Sequence, residues 1–189
     1  MTYNATRAGF IAVVGAPNVG KSSLINLLVG TKVSIVSPKV QTTRSRVLGI
    51  CMAGAAQVIF IDTPGIFQPR RRLDRAMVAA AWGGAGDADH VLLLVDAARG
   101  IDDNTQGIID KLKGVGRRAV LAINKVDIVK KPDLLVLAAA LQDPDLFTKT
   151  FMISATSGDG VDDLLVYLTG LLPAGPWLFP EAQVSDMPE

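Results

Sequence analysis

The run Gly15-Ala16-Pro17-Asn18-Val19-Gly20-Lys21-Ser22 has the GxxxxGK[ST] spacing of a phosphate-binding loop. Its glycines let backbone N–H groups close around phosphate oxygens. Lys21 supplies a point charge to the β and γ phosphates, and the Ser22 hydroxyl can ligate Mg²⁺. Ser23 completes the set of nucleotide-binding positions on this loop. An apolar run, Phe10–Val14, precedes it and a helical pattern, Lys21–Val29, follows, which is the context such a loop requires. The competing reading is a Gly-rich turn that binds nothing, and the strand–loop–helix context argues against it. By itself the loop implies only a purine nucleoside triphosphate.

Two further elements narrow the chemistry. Asp62-Thr63-Pro64-Gly65 follows the apolar run Gln57–Ile61, about forty residues after the phosphate loop. A carboxylate there can hold Mg²⁺ through a water, and the Gly65 N–H is free to meet a γ-phosphate. Asn124-Lys125-Val126-Asp127 ends the run Val120–Ile123. Guanine presents N1–H and a 2-amino group side by side, so the Asp127 carboxylate can accept from both. Adenine would leave that carboxylate unpaired and desolvated. Asn124 can brace the loop and the Lys125 stem can lie over the base. Ser154-Ala155, after Phe151–Ile153, puts small residues where a backbone N–H can donate to guanine O6. That dipeptide draws its weight only from its place, one strand and one helix past Asp127.

The elements that must position these residues are short apolar runs at Phe10–Val14, Gln57–Ile61, Val91–Val95, Val120–Ile123 and Phe151–Ile153, each closed by Gly, Asp, Asn or Ser. Near-continuous apolar strands indicate a parallel sheet covered on both faces. Val47–Met52 is a sixth strand, and the short Ala53-Gly54-Ala55 connection makes it an antiparallel edge. Helices are expected at Lys21–Val29, Leu73–Trp82, Asp102–Lys113, Pro132–Leu141 and Val161–Leu171. The alternation predicts an α/β doubly wound fold, whose ligands sit at the carboxyl ends of the strands. Residues 173–189 break the rhythm, holding four of the ten prolines, and read as a linker or tail.

Composition excludes several alternatives. The 189 residues are 49% hydrophobic, with one Cys and one His. Disorder, a disulfide scaffold and a structural zinc site are therefore ruled out, and a cytoplasmic location is the default. His90 opens an apolar run and reads as a packing residue rather than a catalytic base. The longest apolar stretch, Leu134–Leu141, is far below the ~20 residues of a spanning helix. Net charge is +1, but Lys39–Arg75 carries seven basic residues against two acidic, and residues 143–189 carry eight acidic against one basic. Such asymmetry marks either a partner surface or two solvated faces.

The four motifs in this order resemble the Ras-like P-loop GTPases from Phe10 to about Leu172. Within that superfamily the chain is similar to the bacterial Era GTPases, which are ribosome-assembly factors. The resemblance rests on the phosphate loop, on Gln41-Thr42-Thr43-Arg44-Ser45-Arg46 followed by Leu48-Gly49-Ile50, on Asp62-Thr63-Pro64-Gly65-Ile66 and on Phe179-Pro180-Glu181. It implies a GTPase domain over residues 1–172 and a mostly parallel six-stranded sheet with one antiparallel edge strand. It also implies GTP hydrolysis to GDP and phosphate, as a switch in small ribosomal subunit assembly and 16S rRNA maturation. Mg²⁺ would be held by Ser22, Asp62 and a Thr of the first switch loop, Thr43 being favoured over Thr42. The catalytic set it implies is Asn18, Lys21, Thr43 and Gly65. A monomer, and in some family members peripheral association with a membrane, also follow from the resemblance.

Two departures qualify it. Ile66 stands where Ras-type enzymes carry the Gln that orients the attacking water. The resemblance implies instead a K⁺ held near the phosphates by Asn18 and by carbonyls of the first switch loop. Era proteins also continue beyond a segment like Phe179-Pro180-Glu181 into a KH domain that binds single-stranded RNA. No GXXG loop follows the last helix, so the resemblance covers the GTPase half and assigns RNA contacts to no residue here. Competing readings are a related assembly or tRNA-modification GTPase domain, and a GTP-binding module with negligible hydrolysis without a partner or K⁺. An ATPase or small-molecule kinase is disfavoured by Asp127.

Overall fold

In a computed structural model the residues described are 5–29, 41–42, 45–62 and 88–179, the side chains of 41, 42, 45, 46 and 62 excepted. The strands are β1 (Arg7–Gly15), β2 (Gln41–Thr42), β3 (Ser45–Ala53), β4 (Ala56–Asp62), β5 (His90–Asp96), β6 (Ala119–Asn124) and β7 (Phe147–Met152). The helices are α1 (Lys21–Val29), α2 (Asp103–Gly114), α3 (Lys131–Ala140) and α4 (Val161–Leu171), with a 3-10 turn at Val126–Ile128. The expected helix at residues 73–82 lies outside the described residues.

The sheet order is β2-β3-β4-β1-β5-β6-β7. β4, β1, β5, β6 and β7 run parallel, and β3 is antiparallel to β4. The six expected strands are all present. The two-residue β2 adds to them, pairing Gln41 with Arg46 and Thr42 with Ser45, so β3 is second from the edge. The β3–β4 hairpin turns at Gly54-Ala55, with Gly54 at φ +58°, a conformation that glycine reaches without a Cβ penalty.

Apolar runs face both ways because both sides of the sheet are covered. Ile11 and Val13 of β1, with Leu92 and Leu94 of β5, pack against Leu24, Ile25 and Leu28 of α1 and Leu164 and Leu168 of α4. Their neighbours Ala12, Val14, Leu93 and Val95 meet Ile108, Ile109 and Leu112 of α2 and Leu134 of α3. The period-2 alternation of each strand thus feeds two separate cores. α1 lies close over β3, where a Cβ on Gly49 would come within 2.7 Å of Val29 Cγ2.

β7 begins four residues before the expected strand. Its Thr148, Lys149 and Thr150 are exposed, as befits the outer strand of the sheet, so only its end reads as apolar. Residues 173–179, expected as linker, are held along the sheet. Buried Gln57 accepts from the backbone N–H groups of Leu178 and Phe179 at 2.9 and 3.0 Å, and donates to the Phe179 carbonyl at 2.9 Å. The Trp177 indole N–H donates to the Ala55 carbonyl at 3.1 Å. A fully buried amide needs such partners, and here the tail backbone supplies them.

Candidate functional site

The phosphate loop leaves β1 at the point where the sheet order reverses: the next parallel strand, β4, lies on one side of β1 and β5 on the other. This is the switch point at which doubly wound sheets open a crevice. Gly15 has no room for a side chain, since a Cβ would lie 2.8 Å from Val19 Cγ2 and 2.9 Å from the Leu94 carbonyl. Gly20 takes φ +99°, and a Cβ there would collide with the Asn124 amide. Ala16 and Val19 are buried and pin the loop, whereas Pro17 and Asn18 are exposed. Lys21 Nζ reaches back to the Gly15 carbonyl at 3.0 Å. Helical bonding resumes with Leu24 N–H to Gly20 O. The N–H groups of Lys21, Ser22 and Ser23 therefore have no intrahelical acceptor and sit at the positive end of α1. Ser22 is exposed and lines a cleft of about 130 Å³ with Lys21, Ile25, Asn26 and Leu48.

The loop after β6, beginning at Asn124, is tied to this one by two of its side chains, Asn124 and Lys125. Asn124, 2% exposed at the end of β6, donates through Nδ2 to the Val19 carbonyl at 2.8 Å and accepts the Ala155 N–H on Oδ1 at 3.0 Å. One amide thereby ties the loops after β1, β6 and β7 together. Lys125 follows in the left-handed region, φ +68°, and its ammonium donates to the Asn18 carbonyl at 2.8 Å. Asp127 sits in the 3-10 turn with its side chain exposed. Ser154 is fully buried: its N–H goes to the Asp159 carbonyl, its carbonyl accepts from Gly158 and its hydroxyl accepts the Ser157 N–H. The Ser154 and Ala155 N–H groups thus donate to the Asp159 carbonyl and to Asn124 Oδ1.

Asp62 ends β4 opposite Val13 in the β1 ladder, which sets its backbone beside the phosphate loop. Thr42 is in β2. Thr43, Thr63, Pro64, Gly65 and Ile66 lie outside the described residues.

Two residues of the site were not singled out from the sequence. Asp96 ends β5 and is 4% exposed. Its Oδ1 accepts the Ala98 and Arg99 N–H groups at 2.8 and 3.2 Å, and its Oδ2 accepts from Lys125 Nζ at 2.7 Å. Burial opposes its ionisation. The Lys125 ammonium and the two backbone donors outweigh burial and hold its carboxyl below the ordinary carboxylate range. Arg99 reaches the Pro17 carbonyl at 2.9 Å. The available signal was positional: Asp96, like Asp62 and Asn124, is a polar residue at the carboxyl end of a parallel strand.

Comparison with known proteins agrees with this geometry. The family model described as 50S ribosome-binding GTPase matches residues 10–125. GTPase Era of Rhizobium meliloti (strain 1021) is 58% identical over 183 residues, covering 97% of this chain and 58% of that protein. The chain thus spans under two thirds of the length of the curated relatives it matches. Among solved structures, an Aquifex aeolicus Era variant bound to GDP·AlF4⁻ superposes with TM-score 0.76 at 39% identity, over 97% of this chain and 63% of that one. Era in complex with MgGDPNP and nucleotides 1506-1542 of 16S ribosomal RNA superposes with TM-score 0.77, at the same identity and coverage. With the family model matched from β1 to Lys125 and the Era likeness running over 97% of its residues, the chain belongs to the 50S ribosome-binding GTPase family.

Proposed function

We propose that this chain binds GTP with Mg²⁺ and hydrolyses it to GDP and phosphate, as the nucleotide switch of an Era-type factor in small ribosomal subunit assembly and 16S rRNA maturation. The observation that carries the reading is the Asn124 clamp, which joins a phosphate cradle to a loop bearing an exposed carboxylate, Asp127, suited to guanine. Phosphates would lie over the N–H groups at the start of α1, with Lys21 neutralising charge on the β and γ groups. The Ser22 hydroxyl and the Asp62 carboxylate are hard oxygen donors of the kind Mg²⁺ takes, with Thr43 as the switch-loop donor. Held by these oxygens, Mg²⁺ would offset the charge that develops on the phosphates.

Ile66 has no group that can orient a water. We assign K⁺ instead to Asn18, exposed on the phosphate loop at φ +63°, together with carbonyls of the first switch loop. We assign the rRNA partner by likeness to the Era–rRNA complex, and the chain to the cytoplasm as a monomer. Among the described residues no helix is long and apolar enough to cross a membrane.

The test is phosphate release from GTP and from ATP, each in KCl and in NaCl at equal ionic strength. Hydrolysis confined to GTP and faster in KCl is expected. Equal use of ATP would sink the guanine assignment, and equal rates in the two salts would sink the role given to Asn18.

A further inference from the structure

Two consecutive carbonyls of the phosphate loop are held by two cations that share one buried carboxylate. The Pro17 carbonyl accepts from Arg99 Nη2 at 2.9 Å and the Asn18 carbonyl from Lys125 Nζ at 2.8 Å. Lys125 also donates to Asp96 Oδ2 at 2.7 Å, and Arg99 Nε lies 3.9 Å from the same oxygen. Arg99 is steadied from its other side by Asp102, 3.4 Å from Nη1. Asp96 is itself fixed by the Ala98 and Arg99 N–H groups, which occupy Oδ1 and turn Oδ2 toward the cations.

The consequence follows from peptide planarity. In a trans peptide the C=O and the following N–H point in opposite directions. Drawing the Pro17 and Asn18 carbonyls toward Arg99 and Lys125 therefore turns the Asn18 and Val19 N–H groups to the other side of the loop. A loop whose peptides are already oriented spends less ordering free energy when a phosphate arrives. We propose that Asp96 and Arg99 are positioning residues for the nucleotide: through the Pro17 and Asn18 carbonyls they preset the phosphate loop, so that the residence time of a guanine nucleotide depends on two side chains that never touch it. This rests on the guanine-nucleotide reading above.

The experiment is stopped-flow release of a fluorescent GDP from the full chain, compared with the R99A, R99K and D96N variants and the R99A/D96N double variant. The Arg99 side chain is 40% exposed, so R99A retains the fold, and its thermal midpoint is expected to match that of the unaltered chain. Release should quicken about tenfold in R99A, the order expected for one charge-assisted hydrogen bond, and less in R99K. Because both groups act through one clamp, the double variant should release GDP no more than about twofold faster than the faster single variant. Release from R99A within about twofold of the unaltered chain overturns the inference, as do multiplicative effects in the double variant. An unaltered chain that retains no GDP overturns the proposed function itself, a result distinct from either of these.

Discussion

Among the described residues only Asn18 and Lys125 take positive φ without being glycine, at +63° and +68°, and they are bonded to each other through Lys125 Nζ and the Asn18 carbonyl. Such conformations cost on the order of 1–3 kcal/mol each and persist where surrounding contacts over-determine them. Here those contacts are the Asp96 carboxylate, the Val126 N–H to the Ile153 carbonyl and the Asn124 clamp. Gly20 is the adjoining position at which no side chain fits, because φ is +99° and the Asn124 amide occupies the space. Gly20→Ala should displace Asn124 from the Val19 carbonyl and weaken GDP binding roughly 10- to 100-fold, the cost of one buried hydrogen bond. A GDP titration checks it, and an unchanged affinity would show that the clamp does not depend on this approach.

At the scale of elements, α2 shows how local chemistry sets a boundary. Asp102 is its N-cap, extended at φ −83° and accepting the Thr105 N–H at 2.8 Å. Behind it Thr105, Ile108, Ile109 and Leu112 form the buried stripe at i, i+3, i+4, i+7. Asp102→Ala should cost about 1 kcal/mol of stability, measured by urea unfolding, while Asp102→Asn, an equally good cap, should cost far less. Equal losses for the two would assign the effect to the lost charge near Arg99. The same elements show what was legible in the residues. β1, β4, β5 and β6 were readable because strands buried on both faces are continuously apolar. β7 was readable only at its end, because its outward residues, Thr148 to Thr150, face solvent and break the run. β2 was not readable at all, since a two-residue strand carries no periodicity.

For the molecule as a whole, the acid side of the stability curve follows from carboxylates that folding stabilises in their charged form. The Thr105 N–H outweighs burial in holding Asp102 below its ordinary 3.8, and the Lys125 ammonium with its backbone partners does the same for Asp96. A depressed native value contributes stability that is complete above about 3.8 and is lost as pH falls through the native values. Below roughly pH 4 the protein should therefore lose stability steeply, and Asp102→Asn should lose it less steeply because that position no longer takes up a proton. Urea midpoints between pH 2 and 7 measure this, and parallel curves for the two proteins would refute the role of Asp102.

The residues alone carried the chemistry proposed above: a phosphate loop, a strand-end Asp and an Asn-Lys-x-Asp element are recognisable because each motif is defined by side-chain type and short spacing. They also determined the doubly wound class, because strands hidden on both faces leave a continuous apolar record. Only the tertiary structure decided how the loops are held. Asn124 bonding residues 19 and 155, Lys125 reaching residue 18, and Asp96 and Arg99 standing behind both are contacts across the switch point, between segments up to 107 residues apart. Sequence spacing carries no trace of a hydrogen bond made between the ends of different strands, and the sheet order alone brings those ends together.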